Sequence, residues 1–218
     1  MKAAFFETPG IPLQLRETNR PSPARDEIVI QVSHCGICSS DLSMTSGKGA
    51  YTAAQGSVLG HEIAGIVVEL GADVIDLSKG DRVAVIPASG CGHCELCEEG
   101  EFHKCEGFAW HEGGYSEYIV SKPRYCFRLA EHLPVSDGAL VEPMAVALRA
   151  IRHANLVDGQ KILVLGAGPI GLSCVYWARH FNCEVATLAS SDRRKALAKS
   201  IGASQFVIGK NKDAEALL

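Results

Sequence analysis

The residues best equipped for chemistry are a thiol, an imidazole and two carboxylates on three separate stretches. Cys38 stands in Cys35-Gly36-Ile37-Cys38-Ser39-Ser40-Asp41. His61 and Glu62 adjoin in Gly60-His61-Glu62-Ile63-Ala64-Gly65. Glu142 lies in Leu140-Val141-Glu142-Pro143. Sulfur, nitrogen and oxygen ligands from three places are what a catalytic zinc takes, with a fourth position left open. Each residue alone has a plainer reading. A lone cysteine is usually a small core residue, and Glu142 could serve a helix N-terminus.

A second group is more specific. Cys91-Gly92-His93-Cys94-Glu95-Leu96-Cys97, followed by Cys105, has the spacing C-x2-C-x2-C-x7-C. Four thiolates on one ion make a closed tetrahedral shell, a structural rather than a catalytic zinc site. Two disulfides or a four-cysteine iron–sulfur site are the alternatives. His93 and His103 lie in the same loop as rival ligands, but four thiols already complete the shell.

The third signal is Gly166-Ala167-Gly168-Pro169-Ile170-Gly171. It follows the apolar run Ile162–Leu165 and opens a helical pattern, the context in which a G-x-G-x-x-G cradles a dinucleotide. Gly166 would make the turn, Gly168 would admit the pyrophosphate, and Gly171 would let helix and strand pack closely. The start of the helix, at Pro169 and Ile170, would face the phosphates.

These residues need elements to hold them. Residues 1 to about 130 read as β-rich, with strands over Glu27–Val32, Glu62–Leu70, Asp81–Pro87 and Tyr115–Val120, and a loop over residues 43–57. Near Ser136 the pattern turns helical through Ile151. It then alternates: strand Lys161–Leu165, helix Pro169–Phe181, strand Glu184–Ala189, helix Asp192–Ile201, strand Gln205–Ile208. That order is the parallel α/β signature. The division expected is 1–150 and 151–218. Only three strands of a normally six-stranded nucleotide domain are present, so a truncated product or a fragment of a longer enzyme is expected.

Composition narrows the class. The chain has 218 residues, a net charge of −4 and nine cysteines. Its acidic balance argues against nucleic acid as main partner, and no apolar run reaches the ~20 residues of a membrane helix. The N-terminus does not read as a signal peptide, so the cysteines point to metal chemistry in the cytoplasm rather than to a disulfide-rich secreted module.

Taken together, the chain resembles the zinc-dependent medium-chain dehydrogenase/reductase family, the alcohol and polyol dehydrogenases. The resemblance rests on Gly36–Asp41, Gly60–Gly65, Gly80-Asp81-Arg82-Val83, the cysteine quartet, Gly113-Gly114-Tyr115-Ser116-Glu117-Tyr118 and Gly166–Gly171, in the family's order. It implies a mixed fold: a β-rich GroES-like catalytic domain followed by part of a Rossmann domain. It implies two zinc ions per chain, with the catalytic one on Cys38 and His61. Ser40 matches the hydroxyl that takes the alcohol proton, and Asp41 stands behind the ligands. Glu142 matches the third-ligand position of sorbitol-type members, and Glu62 is a fixture beside the zinc. If His61 and Glu62 lie in one extended segment, their side chains point to opposite faces, which favours Glu142 over Glu62 or water as third ligand. Ser43 stands where many relatives carry the next relay histidine, so water would extend the relay beyond Ser40.

The expected reaction is hydride transfer between a small alcohol and the matching aldehyde or ketone, with zinc polarising the substrate oxygen. The strand that ends at Ala189 lacks the acidic residue typical of NAD enzymes. Ser190, Ser191, Arg193 and Arg194 instead offer hydroxyls and guanidinium groups suited to a 2′-phosphate, so NADP is expected over NAD. The resemblance also implies a homodimer or homotetramer for the full-length enzyme. The rival expectation is a chain that binds zinc but has no turnover alone.

Overall fold

The computed structural model describes residues 1–49 and 52–209. Along the chain run β1 (Lys2–Phe5), β2 (Gln14–Glu17), β3 (Ile28–Gly36), α1 (Ser39–Ser46), β4 (Glu62–Leu70), β5 (Arg82–Val85), β6 (Ala88–Ser89), α2 (Glu95–Glu98), β7 (Ala109–Trp110), β8 (Tyr118–Ser121) and β9 (Cys126–Arg128). Then come α3 (Val141–His153), β10 (Lys161–Leu165), α4 (Pro169–His180), β11 (Glu184–Ala189), α5 (Lys195–Ser200) and β12 (Gln205–Ile208). Two compact units divide it, Met1–Glu142 and Pro143–Leu218.

The first unit is built on an antiparallel sheet of order β8-β3-β4-β5-β9. Ile28, Ile30, Ile63, Val67, Val83, Val85 and Ile119 fill one core with Leu77. Val29, Ala64 and Ala84 are also buried, so the central strands are covered on both faces. This explains why β4 reads as apolar almost throughout, a pattern expected of doubly covered strands. Part of the cover is a 3-10 turn, Val135–Leu140, which packs on β3, β4 and β5 and leads into α3. A Cβ at Gly138 would lie 2.8 Å from that of Ala64.

The β3–β4 register sets the site. Cys35 opposes Ile63 and Gly36 opposes Glu62, after a bulge between Val32 and His34. A bulge re-aims the residues beyond it. Gly60 has φ +93°, a conformation open to glycine at little cost, and it turns the chain immediately before β4.

The second unit holds a parallel sheet in the order β10-β11-β12. Leu172, Val175 and Ala178 of α4 pack with Val185, Ala198 and Ala203 into its core. Among the described residues β10 pairs only with β11.

Two expectations need correction. The stretch 43–57 is not wholly loop, because α1 covers Ser39–Ser46; residues 50 and 51 lie outside the described residues. Its run of serines and threonine has no apolar period to reveal it. The helix expected from Ser136 starts as a 3-10 turn and becomes α-helical only at Val141.

Candidate metal centres and nucleotide cleft

Cys38 is the N-cap of α1, where the chain leaves β3. Its backbone N–H donates to Asp41 Oδ2 at 2.9 Å, which ties the cap to the third residue of the helix. Asp41 is 3% exposed. Its Oδ2 also accepts the Tyr115 hydroxyl at 2.7 Å. Its Oδ1 faces His61 Nδ1 at 3.5 Å, and neither of those buried atoms has another partner. His61 Nε2 lies 3.5 Å from Ser40 Oγ.

The ligand atoms of Cys38, His61 and Glu62 lie within 4.8 Å of one another. Glu142 is not in that group. It lies in the first turn of α3, near enough to feel the charges of His61, Glu62 and Asp41. The premise that His61 and Glu62 face opposite ways is therefore corrected. Strand alternation does not apply to the pair, because β4 starts at Glu62 and Gly60 bends the chain just before it.

The electrostatics are those of a cation site. Asp41 beside it pulls the His61 imidazole up to about 9, although burial opposes this. Burial raises the carboxyls of Glu62 and Glu142, with help from neighbouring acidic groups. Burial also raises Asp41, but the His61 ring facing it and hydrogen bonds from the Tyr115 hydroxyl and the Cys38 N–H outweigh it and hold the carboxyl low. Asp41 and Glu62 beside one imidazole, with Glu142 in the same field, repel each other, and a divalent cation would relieve that repulsion. The sulfur, nitrogen and oxygen donors fit zinc, and the orphaned Nδ1 faces a carboxylate, the usual support of a zinc-binding histidine.

Sequence reasoning missed two neighbours. The Trp110 ring stands 5.5 Å from that of His61, and its Nε1–H donates to Glu112 at 3.1 Å. Asp41, His61 and Glu112 form a further close group of potential ligands. Both residues lie between the quartet and Gly113-Gly114, in a segment with no period to announce them.

The thiols of Cys91, Cys94, Cys97 and Cys105 also gather within 4.8 Å. Cys91 and Cys97 are 3.9 Å apart, and Cys94 and Cys105 are 3.7 Å apart. Zinc–sulfur bonds of about 2.3 Å in a tetrahedron put sulfurs about 3.8 Å apart, whereas a disulfide needs about 2.0 Å. All nine cysteines are unpaired. The backbone N–H groups of Cys91 and Gly107 donate to Cys105 Sγ. The His93 N–H helps bring Cys91 down to about 6. Cys94 is lowered by the Cys97 N–H, but the surrounding thiols raise it further, to about 12. His93 and His103 stay outside the group: His93 Nδ1 meets the Cys91 carbonyl and His103 meets Glu101.

In the second unit, Gly166 has φ +108°, and a Cβ at Gly171 would lie 2.0 Å from the Gly166 carbonyl. Gly168 caps α4, with Pro169 in the first turn followed by Ile170. A cleft of about 510 Å³ is lined by Gly166, Ala167, Gly168, Ala189, Ser190, Ser191, Arg193 and Arg194. Arg194 donates to the Ala167 carbonyl at 3.0 Å, which ties the two sides of the cleft together.

Comparison with known proteins agrees with this picture. Residues 24–131 match the alcohol dehydrogenase GroES-like domain. The D-xylulose reductase A of Aspergillus oryzae is 34% identical over 183 residues, 81% of this chain and 49% of the relative. The L-idonate 5-dehydrogenase of Vitis vinifera is 32% identical over 195 residues, 86% of this chain and 53% of the relative. Among solved structures, galactitol-1-phosphate dehydrogenase from Escherichia coli superposes with a TM-score of 0.86 at 33% identity, covering 95% of this chain and 61% of that one. A Sinorhizobium meliloti chain described as a zinc-binding dehydrogenase, bound to NADP, gives 0.87 at 30% identity, with coverage of 95% and 61%. A short chain alcohol dehydrogenase from Escherichia coli CFT073, complexed with NADH, gives 0.88 at 30%, with coverage of 100% and 66%.

A GroES-like unit with a four-cysteine cluster and a separate Cys–His–Glu group, joined to a glycine-loop α/β unit, defines the class of zinc-binding dehydrogenases. The chain belongs to the zinc-dependent medium-chain dehydrogenase/reductase family, on its alcohol and polyol dehydrogenase side. It spans about half the length of the curated relatives it matches.

Proposed function

We propose that this chain carries the metal-binding and phosphate-binding machinery of an oxidoreductase that moves a hydride between an alcohol and NADP. The gathering of Cys38, His61 and Glu62 around one point carries the reading. In it, Cys38, His61 and Glu62 hold a zinc ion, and Asp41 orients His61 through Nδ1. Glu142 stands as a further carboxylate in the field of the site and is the alternative third ligand. A zinc ion there supplies Lewis acidity toward a substrate oxygen. Ser40, close to His61 Nε2, takes the proton that the alcohol releases. The quartet of Cys91, Cys94, Cys97 and Cys105 holds a second, structural zinc.

The substrate class is a small alcohol, with a polyol or secondary alcohol favoured because the relatives include a D-xylulose reductase, an L-idonate 5-dehydrogenase and a galactitol-1-phosphate dehydrogenase. Gly166, Gly168, Pro169, Ile170 and Gly171 cradle the pyrophosphate. Ser190, Ser191, Arg193 and Arg194 take the 2′-phosphate. The absence of an acidic residue at Ala189 and the two guanidinium groups beside the cleft support NADP. The nine unpaired cysteines support the cytoplasm as its compartment, and among the described residues no helix is long and apolar enough to cross a membrane. A homodimer or homotetramer of the full-length enzyme, with no nucleic-acid or membrane partner, completes the proposal.

The test is an assay of zinc-loaded protein against a panel of polyols and simple alcohols with NADP and with NAD, following reduced nicotinamide. Turnover with NADP on at least one alcohol supports the reading. Because the chain matches only about half of each relative, a second reading is kept: zinc binding without turnover by this chain alone. Full metal loading with no turnover on any substrate selects it.

A further inference from the structure

Glu62 reaches the metal group by lying across a residue that has no side chain. Gly36 and Glu62 are direct partners in the β3–β4 register. Side chains of directly opposed residues share one face of a sheet, so a side chain at 36 would occupy the space that the Glu62 carboxylate now uses. The overlap is severe. A Cβ at Gly36 would fall 1.8 Å from Glu62 Oε2, and 2.9 Å from both Glu62 Cδ and Glu62 Cβ. Carbon and oxygen atoms at such separations cannot coexist. The carboxylate would have to rotate away, and it is this carboxylate that lies with Cys38 Sγ and the His61 ring. The backbone of Gly36 itself is held in place, because its carbonyl lies 3.2 Å from the Tyr115 hydroxyl that binds Asp41.

We infer that Gly36 is a positioning residue for the metal centre: the missing side chain at 36 is what lets Glu62 serve as the third ligand. The inference rests on the reading that Glu62 is a ligand. It predicts a specific interaction between two positions, since the severest overlap of a methyl at 36 is with the far end of the Glu62 side chain, while the 2.9 Å approach to Glu62 Cβ persists with alanine at 62.

The test measures zinc affinity by chelator competition in the 218-residue chain and in Gly36→Ala, Glu62→Ala and the double variant. The quartet zinc serves as an internal control of folding. Gly36→Ala is expected to weaken the Cys38–His61 site roughly tenfold to a hundredfold, the range seen when a ligand loses its support. In the Glu62→Ala background the same change is expected to cost markedly less, because the carboxylate overlap is gone and only the approach to the residue-62 Cβ remains. Unchanged affinity in Gly36→Ala overturns the inference, as does an equal loss in both backgrounds. If Gly36→Ala does not fold, the double variant decides: a folded chain with quartet zinc supports the inference, and an unfolded one overturns it. The underlying reading fails separately if Glu62→Ala alone binds the second zinc as tightly as the parent.

Discussion

Asp41 Oδ1 faces His61 Nδ1 at 3.5 Å, both atoms buried and otherwise unpartnered. The other oxygen of Asp41 is fixed by the Cys38 N–H and the Tyr115 hydroxyl. One carboxylate thus links the cap that presents Cys38 to the imidazole of His61. Replacing Asp41 by asparagine keeps the shape but removes the charge that sets the ring's tautomer. Zinc affinity at the Cys38–His61 site is expected to fall about tenfold to a hundredfold, with the quartet site unaffected. Chelator competition resolves the two.

In the proposed reading the quartet carries stability rather than chemistry. Cys105→Ser removes one ligand from a closed shell and leaves the loop from Gly90 to Gly107 without its cross-link. The variant is expected to lose the structural zinc and unfold at a lower temperature than the parent, because metal binding free energy is folding free energy in such loops. Thermal unfolding with and without a chelator checks this. The parent should lose more Tm to the chelator than the variant, which has only the Cys38–His61 ion left to lose, and the two stripped proteins should unfold at similar temperatures.

In the proposed reading cofactor preference is set at the end of β11. Arg193 and Arg194 line the cleft with Ser190 and Ser191, and Arg194 is partly engaged with the Ala167 carbonyl. Arg193→Ala is expected to weaken NADP by about 1.5–3 kcal/mol, the range for a charge-assisted hydrogen bond, and to leave NAD nearly unchanged. Ala189→Asp should favour NAD, since a carboxylate there accepts ribose hydroxyls and repels a phosphate. Titration of each variant with both nucleotides reads the ratio directly.

A pH dependence lies away from the site. Asp81 accepts the Ser78 N–H at 2.8 Å and pairs with Arg128 at 2.8 Å. Arg128, with the Ser78 N–H, holds the Asp81 carboxyl below its usual value. A depressed folded pKa means the contribution is present above the unfolded pKa and is lost as pH falls through the folded one. The parent should therefore lose more stability than Asp81→Asn between neutral pH and the acid side of the carboxylate range. The difference should be small, because the pair is near the surface. Denaturant unfolding at both pH values measures it.

Much of this architecture is legible in the sequence where burial is continuous. The runs at Glu62–Leu70, Lys161–Leu165, Glu184–Ala189 and Gln205–Ile208 form strands with the bounds their apolar pattern predicts. What escapes has no such pattern. The β2 strand is exposed throughout, and α1 is nearly all small polar residues. At the site, residue types and spacing bring Cys38, His61 and Glu62 to notice. Their mutual geometry depends on one glycine turn at Gly60, and strand periodicity misleads there. Trp110 and Glu112 reach His61 only through space, and nothing local in their segment signals it.

The central claim is that one chain holds two zinc ions at two independent centres. Native mass spectrometry of the metal-loaded protein tests it most directly. The expected counts are two zinc ions in the parent, and one each in Cys38→Ala and in Cys105→Ser. A parent that binds a single ion, or a Cys38→Ala variant that still binds two, would contradict the account.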